Sequence, residues 1–328
     1  MSDSESPLVE IRGLRVAYPT AGGRRIAAVD DLSISIHRGE VVGLLGESGC
    51  GKSTLANSIL RLLPAHARYG SGSILLRGRD LLQEPESELR AVRGRDLALI
   101  PQDPALSLNP VMDVGSQIAD VLRAHFSLPA TERRARVMEL LCELGFDQPE
   151  DIYNAYPHQL SGGQRQRVAI AQAVACRPAL VIADEPTSKL DAPLQAEIVA
   201  LLSQIRKNHG TAILVISHDP ALFAGFADRI AVMYAGRIVE VGRTSEIFRR
   251  PLHPYTQALV RIAKSAADVT VQKYFSAIEG ESPDPTSFSS GCRFEARCPE
   301  RMDICAQRYP QMFLPEPSRP VSCFKYGE

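Results

Sequence analysis

Gly46-Glu-Ser-Gly-Cys-Gly51-Lys52-Ser53 has the spacing of a phosphate-binding loop, and it decides the fold of this chain. It follows a strand-like segment, residues 40–45, and precedes a predicted helix over residues 52–63. Glycines let backbone N–H groups surround phosphate oxygens, and the helix N-terminus adds partial positive charge. We expect Lys52 to reach the β- and γ-phosphates of ATP and Ser53 to ligate Mg²⁺. The predicted nucleotide-binding residues here are Gly46, Ser48, Gly49, Cys50, Gly51, Lys52, Ser53 and Thr54.

Alternating strand-like and helix-like segments around this loop predict an α/β fold with a mixed sheet. Residues between about 104 and 176 are instead helical in pattern and predict an inserted helical subdomain. We predict a nucleotide-binding domain over residues 1–250 and a small extension over 251–328, where frequent prolines indicate short elements and turns. The other strands are predicted at residues 8–15, 32–37, 97–101, 180–183, 211–216, 229–234 and 237–241.

The composition is that of a globular protein, because 45% of the 328 residues are hydrophobic and 23% are charged. The net charge of −1 gives no electrostatic reason to expect a nucleic-acid partner. No apolar run approaches the roughly 18 residues of a membrane span. The start of the chain, residues 1–7, is polar and acidic and does not resemble a signal peptide. We therefore expect a cytoplasmic location.

Two further motifs point to phosphate chemistry. Leu160-Ser-Gly-Gly-Gln164 opens a predicted helix, which makes a second anion site from free N–H groups and a hydroxyl. Leu180-Val-Ile-Ala-Asp184-Glu185 places two carboxylates at the end of a buried strand. Asp184 is suited to hold Mg²⁺ through water, and Glu185 to polarise the attacking water.

These motifs, in this order, resemble the ATP-binding-cassette (ABC) family, whose signature is the 160–164 pentapeptide. The resemblance implies an ABC cassette of the P-loop NTPase class, in which Ser161, Gly162, Gly163 and Gln164 contact nucleotide. Three single residues also match the family pattern. Gln102 matches the glutamine that binds Mg²⁺, senses water and couples to the membrane subunit. His218 matches the histidine that contacts the γ-phosphate, and Tyr18 matches the aromatic residue that stacks on adenine. Ser188-Lys189-Leu190-Asp191 resembles the D-loop, but Lys189 stands where a small residue is common. Lys189 is either an exposed side chain without effect or one that alters contacts across the dimer.

The family likeness also implies how the protein works. The signature of one subunit faces the phosphate loop of another, so we expect ATP-driven dimerisation with a copy or a homologous ABC ATPase. Two transmembrane permease subunits are the implied partners, with an extracytoplasmic substrate-binding protein as an indirect one. The chain is then expected at the cytoplasmic face of the inner membrane.

The tail narrows the family further. Residues 249–259, with His253-Pro-Tyr255, resemble the C-terminal region of the ATPase subunits of oligopeptide, dipeptide and nickel importers. Four cysteines follow, with spacings that fit four-thiolate zinc or an iron–sulfur cluster. Members of the resembled group carry a [4Fe–4S] cluster here, so we favour the cluster, in a structural role, over Zn²⁺. The four residues are Cys292, Cys298, Cys305 and Cys323.

Other classes fit less well. A kinase or GTPase lacks the signature, and ABC proteins of DNA repair or translation carry longer insertions or a second cassette. An exporter often has its membrane domain on the same chain. The sequence therefore predicts an ATPase of an importer, for peptides first and for nickel or another small solute as the alternative.

Overall fold

The computed structural model describes residues 6–20, 23–267, 278–281, 283–286 and 288–327. The acidic residues 1–5 of the predicted start lie outside this part of the chain. The strands are β1 (Val9–Pro19), β2 (Arg25–Ile36), β3 (Val41–Leu45), β4 (Arg68–Leu76), β5 (Arg79–Asp80), β6 (Leu97–Ile100), β7 (Leu180–Asp184), β8 (Ala212–Ser217), β9 (Arg229–Tyr234) and β10 (Arg237–Arg243).

The helices are α1 (Lys52–Ile59), α2 (Glu86–Val92), α3 (Pro104–Ser107), α4 (Val114–His125), α5 (Ala130–Glu143), α6 (Pro149–Asn154), α7 (Gly162–Val174), α8 (Ala192–His209), α9 (Thr244–Arg249), α10 (Pro254–Ala267) and α11 (Asp303–Gln307). The chain divides into two compact units. The first comprises Met1–Ile36, Val41–Leu82 and Ser217–Glu328, and the second His37–Glu40 and Gln83–Ile216.

The first unit is built on antiparallel strands and on the strand that leads to the phosphate loop. One sheet has the order β2-β1-β4-β5. Strand β3 is fully buried, pairs in parallel with β9, and β9 pairs antiparallel with β10. The Phe223 ring packs so closely on β3 that a Cβ at Gly43 would lie 2.6 Å from it. Strand β3 is therefore fixed on both its edge and its face.

The second unit contains three parallel strands and most of the helices. Strand β7 pairs with β6 on one side and with β8 on the other. All residues of β7 and β8 are buried, as expected for apolar strands covered on both faces. Helices α3 to α7 follow β6, in the region where the sequence predicts a helical block. None of the helices in the described ranges is long and apolar enough to cross a membrane.

Strands β4 and β5 and the long helix α10 differ from the sequence expectation. Strands β4 and β5 were not predicted, because β4 contains Gly70 and Gly72 and only its last residues show apolar alternation. Helix α10 is a 14-residue helix in a tail for which only short elements were expected. It begins directly at Pro254, whose ring favours the first helical position.

Candidate nucleotide-binding site

The phosphate loop connects β3 to α1 and depends on glycine at two kinds of position. Gly49 and Gly51 have φ angles of 79° and 109°, which residues with a Cβ rarely adopt. A Cβ at Gly51 would lie 2.0 Å from the Ala28 carbonyl oxygen, and one at Gly46 would lie 2.3 Å from that of Met233. The loop therefore requires glycine for its backbone angles and for its close approach to neighbouring strands.

Lys52 begins α1 and folds back over the loop. Its side chain is buried, and Nζ donates to the carbonyl oxygens of Gly46 at 2.7 Å and Glu47 at 2.9 Å. No side chain caps the helix start, and its first turn contains no acidic residue. The N-terminal N–H groups of α1 and the Lys52 ammonium thus form a positive site suited to phosphate. Burial raises the pKa of the Cys50 thiol, so this loop cysteine is held in its neutral form.

Tyr18 lies beside the start of the same helix. Its hydroxyl is 3.3 Å from Thr54 Oγ1, and its ring centroid is 5.8 Å from that of His66. The predicted adenine-contacting residue is therefore close to one predicted phosphate-loop residue. The His66 ring beside it was not predicted, since a lone histidine in a loop carries no sequence signal.

His218 follows directly after β8, and its side chain is exposed. The flanking residue Asp219 fixes the turn: its N–H donates to Ser217 Oγ at 3.0 Å, and its carboxylate accepts from Ala221 N at 2.9 Å. Local hydrogen bonds thus hold the backbone around the exposed His218.

In the second unit, the predicted acidic residues end a buried strand. Asp184 is the last residue of β7 and is 8% exposed. Glu185 has a φ of 50°, an uncommon value for a residue with a side chain, and its N–H donates to the Ile216 oxygen at 3.0 Å. Gln102 follows the parallel neighbour β6, so it leaves the sheet at the same edge as Asp184. A positive φ such as that of Glu185 strains the backbone, and such strain is concentrated at functional sites.

The signature forms a capped helix start. Ser161 precedes α7, and its Oγ accepts from Gln164 N at 3.2 Å while Gln164 Oε1 accepts from Ser161 N at 2.9 Å. Gly162 is exposed, and a Cβ there would contact no atom within 4 Å. The four predicted signature residues therefore lie together at a helix N-terminus, of which Ser161 and Gly162 face solvent.

The unusual D-loop lysine has a partner within its own unit. Lys189 Nζ forms an ion pair with Asp103, the residue after Gln102. Asp103 also accepts from Ala105 N and so caps α3. The hydrogen bond from Lys189 lowers the pKa of Asp103. The two loops that follow β6 and β7 are thus joined by a charge pair.

Within the first unit, a buried ion pair anchors the tail to strand β10. Arg319 donates to Glu240 at 3.2 Å, and the two side chains are 2% and 0% exposed. The Glu240 carboxylate also accepts from the backbone N–H groups of Leu252 and His253, each at 2.9 Å. Ser322 N donates to the Val239 oxygen of β10 at 2.8 Å. Hydrogen bonds therefore satisfy this buried carboxylate on both sides.

The four tail cysteines line one cavity, whose wall includes His253, Phe294 and Phe324. Their thiols are free. Burial raises the pKa of Cys292 to about 12 and also raises those of Cys298 and Cys323. Across the described ranges, no group of three His, Cys, Asp or Glu side chains is arranged to hold a metal ion. The cysteines thus share a cavity, as the resemblance implies, without a preformed single-ion site.

Two residues of the tail contact the phosphate loop through contacts that the sequence did not predict. Tyr255 accepts a hydrogen bond from Glu47 N at 2.9 Å, and Arg297 pairs with the Glu47 carboxylate. Both contacts join residues more than 200 positions apart, so no local pattern could have shown them.

Comparison with known proteins agrees with these features. Residues 29–188 match the family model "ABC transporter", and residues 239–305 match "Oligopeptide/dipeptide transporter, C-terminal region". The chain is 39% identical to the dipeptide transport ATP-binding protein DppD of Bacillus subtilis, over 97% of this chain and 94% of that one. It is 41% identical to the oligopeptide transport ATP-binding protein AppD of the same organism, over 98% of both chains.

A solved structure shows the same fold. The dimeric, post-hydrolysis ATP-binding cassette MJ0796, bound to ADP and Pi, superposes with a TM-score of 0.65 at 29% identity, covering 72% of this chain and 98% of that one. The fold, the glycine-dependent phosphate loop and the likeness through the tail agree with one another. The chain belongs to the ABC transporter family, among the ATP-hydrolysing subunits that carry the oligopeptide/dipeptide transporter C-terminal region.

Proposed function

We propose that this chain powers the import of dipeptides and oligopeptides by hydrolysing ATP at the cytoplasmic face of the inner membrane. The observation that carries this proposal is the extent of the likeness to peptide-transport ATPases. It covers the tail as well as the cassette, over 97% or more of the chain. A general ABC ATPase would match over the cassette alone.

The partners follow from the same proposal: a second ABC ATPase subunit, identical or homologous, two permease subunits and, indirectly, a substrate-binding protein. The MJ0796 cassette is a dimer, which supports pairing of cassettes. Leu106 and Val111 are 86% and 79% exposed in the segment between Gln102 and α4. Because the family resemblance couples Gln102 to the membrane subunit, we assign this neighbouring exposed segment to the contact with a permease subunit.

The roles of the site residues are proposals from the family resemblance. Lys52 binds the β- and γ-phosphates, Tyr18 stacks on adenine and His218 contacts the γ-phosphate. Ser53, Gln102 and Asp184 are the proposed ligands of Mg²⁺, Asp184 through water. Glu185 polarises the attacking water, and its left-handed backbone supports a role at the site of reaction.

Replacing Glu185 tests the proposed hydrolysis step. We expect Glu185→Gln to bind ATP, to remain dimeric in ATP and to hydrolyse it about 10²–10⁴ times more slowly, because the amide cannot accept the proton. Nucleotide titration, light scattering and steady-state ATPase rates would measure these three effects. Glu197→Gln, on the exposed side of α8, is the matched control. An unchanged rate in Glu185→Gln would contradict the proposed role.

We also propose that the four tail cysteines hold a [4Fe–4S] cluster. The donor chemistry fits, because four free thiols line one largely apolar cavity. Zinc, which four thiolates can also bind, is the alternative. A bound cluster would supply cross-links that hold a turn-rich tail together. Anaerobically purified protein should absorb light at about 400 nm and contain about four iron atoms per chain. Colourless, iron-free protein would contradict the cluster, and one zinc per chain would favour the alternative.

Reconstitution tests the transported substrate. The tagged chain should co-purify with its permease subunits from its native membrane, and the complex can be placed in proteoliposomes. We expect a dipeptide or oligopeptide, with the cognate binding protein, to stimulate ATP hydrolysis. Stimulation by nickel alone would overturn peptide import and leave the ATPase assignment intact.

A further inference from the structure

The C-terminal tail holds the phosphate loop at its second residue, Glu47. The Arg297 guanidinium donates to both carboxylate oxygens of Glu47, from Nη1 at 2.7 Å and from Nη2 at 3.0 Å. The Arg297 side chain is 5% exposed and that of Glu47 is 26% exposed, so the guanidinium is shielded from water and the carboxylate is partly exposed. The hydrogen bond to Glu47 raises the pKa of Arg297, which keeps the guanidinium charged. Two parallel bonds fix the direction of a carboxylate as well as its distance.

Other groups of the first unit hold the guanidinium in turn. Arg297 Nη1 is 3.3 Å from the Tyr234 hydroxyl, Nη2 donates to the Ile278 oxygen at 3.0 Å, and Nε donates to the Glu279 oxygen at 3.1 Å. All three guanidinium nitrogens are therefore engaged. An arginine held in this way keeps its position when its partner moves, so it can act as a fixed support for Glu47.

The contact continues from Glu47 to the residue predicted to bind phosphate. Tyr255, fully buried, accepts from Glu47 N at 2.9 Å, so the tail holds both the backbone and the side chain of Glu47. The Glu47 carbonyl oxygen in turn accepts from Lys52 Nζ at 2.9 Å. A displacement of Glu47 would therefore move the oxygen against which the Lys52 ammonium is positioned.

Charge gives Arg297 a second effect on the loop. Glu47 is an acidic residue in a loop that binds a polyanion, and its charge opposes the approach of phosphate. The buried guanidinium offsets that charge, and its shielding from water makes the attraction stronger than between two fully hydrated groups. Position and charge thus act in the same direction: both favour nucleotide when Arg297 is paired with Glu47.

We propose that Arg297 is a positioning residue of the ATP site, which acts through Glu47 to set the affinity for nucleotide. The cysteine-bearing tail then contributes to nucleotide binding at the phosphate loop. Arg297 directly precedes Cys298, and Phe294, in the wall of the cysteine cavity, packs edge-on against Tyr234 with ring centroids 5.2 Å apart. The inference rests on nucleotide binding at the phosphate loop and is independent of the substrate transported.

Variants of Arg297 in the full chain test the inference. We expect Arg297→Ala to raise the Kd of MgATP and the KM for ATP about 10-fold, with kcat within about two-fold of the wild type. In Arg297→Lys, an ammonium cannot bond both carboxylate oxygens in the same way, and we expect a rise of about three-fold. Fluorescent-nucleotide titration and steady-state ATPase rates measure these quantities. Thermal unfolding reports separately on whether the tail is intact.

Controls separate the Glu47 pair from a general loss of tail charge. Arg301→Ala removes an arginine of the same segment that is 63% exposed and pairs with Glu295, and it should leave Kd and KM unchanged. The double variant Glu47→Ala/Arg297→Ala should raise the Kd of MgATP no more than the larger of the two single changes does, because paired residues act as one unit. Unchanged Kd and KM in both Arg297 variants would overturn the proposal. A lower kcat at unchanged KM, with loss of folded tail, would also overturn it and mark a purely structural arginine.

Discussion

The phosphate loop and the signature are both glycine-containing entrances to a helix, yet the chain shapes them by different means. The signature is closed by its own capping box, in which Ser161 and Gln164 bond each other over three residues. The phosphate loop has no side-chain cap, needs positive φ at Gly49 and Gly51, and is fixed by Tyr255 and Arg297. Local sequence is enough for the first, whereas the second exists only inside the folded unit. Changes that disturb tertiary contacts should therefore affect the phosphate loop far more than the signature.

The largest contrast should come from adding one methyl group to each motif. Gly51→Ala places a Cβ 2.0 Å from a carbonyl oxygen at a φ of 109°, so we expect nucleotide affinity to fall at least about 100-fold. Gly162→Ala meets no atom within 4 Å, and we expect unchanged nucleotide affinity and unfolding temperature in the isolated subunit. Nucleotide titration and calorimetry would measure both. Equal losses in the two variants would break the comparison.

The first unit, which holds the phosphate loop, should lose stability at acidic pH because of His253. Burial lowers the pKa of His253 to about 3 in the folded protein, against about 6.5 when unfolded. The unfolded state therefore binds the proton first, and stability is lost as pH falls below about 6.5, by about 1.4 kcal/mol per pH unit until the folded pKa is reached.

His253→Asn removes this titration while it keeps an acceptor for Tyr255 N, which donates to His253 Nδ1 at 3.1 Å. We expect the wild type to lose about 2 kcal/mol more than the variant between pH 6.5 and pH 5. Urea unfolding at several pH values would measure the difference. Parallel pH curves for the two proteins would show that His253 does not titrate on unfolding.

Removing the Tyr255 hydroxyl tests the hydrogen bond that holds the Glu47 backbone. Tyr255→Phe keeps the ring packing and removes the acceptor of Glu47 N, at a cost of about 1–2 kcal/mol. We expect a rise in the Kd for MgATP of about five-fold. Tyr326→Phe removes a different tail hydroxyl, bonded to the Leu252 oxygen, and should leave the Kd unchanged. If Tyr255→Phe had wild-type affinity for MgATP, only Arg297 would be needed to position Glu47.

The smallest effect should come from the signature cap. Ser161→Ala removes the side-chain half of the capping box and should lower the free energy of unfolding by about 1 kcal/mol. Nucleotide affinity of the isolated subunit should not change, because the cap is local to α7. Chemical denaturation beside nucleotide titration would measure both. A large change in affinity would show that the signature depends on more than its own residues.

Sequence patterns predicted the parts of the fold whose cause is local. Strands β3, β7 and β8 are runs of apolar residues, and the structure buries every residue in them. Strand β4 was missed because its pairing with β1 is remote in sequence and Gly72, with a φ of 99°, interrupts the alternation. The ion pair between Lys189 and Asp103 joins loops that are far apart in sequence and was equally unpredictable.

The sequence by itself determined the family, the phosphate loop and the position of each candidate site residue along the chain. These follow from residue types at fixed short spacings, where glycine angles, helix caps and apolar runs act over a few residues. Only the tertiary structure decided what supports the loop: a tyrosine and an arginine of the tail that meet at Glu47. It also placed the four cysteines around one cavity of that tail. Such contacts depend on side chains that folding brings together from distant parts of the chain, so no local pattern records them.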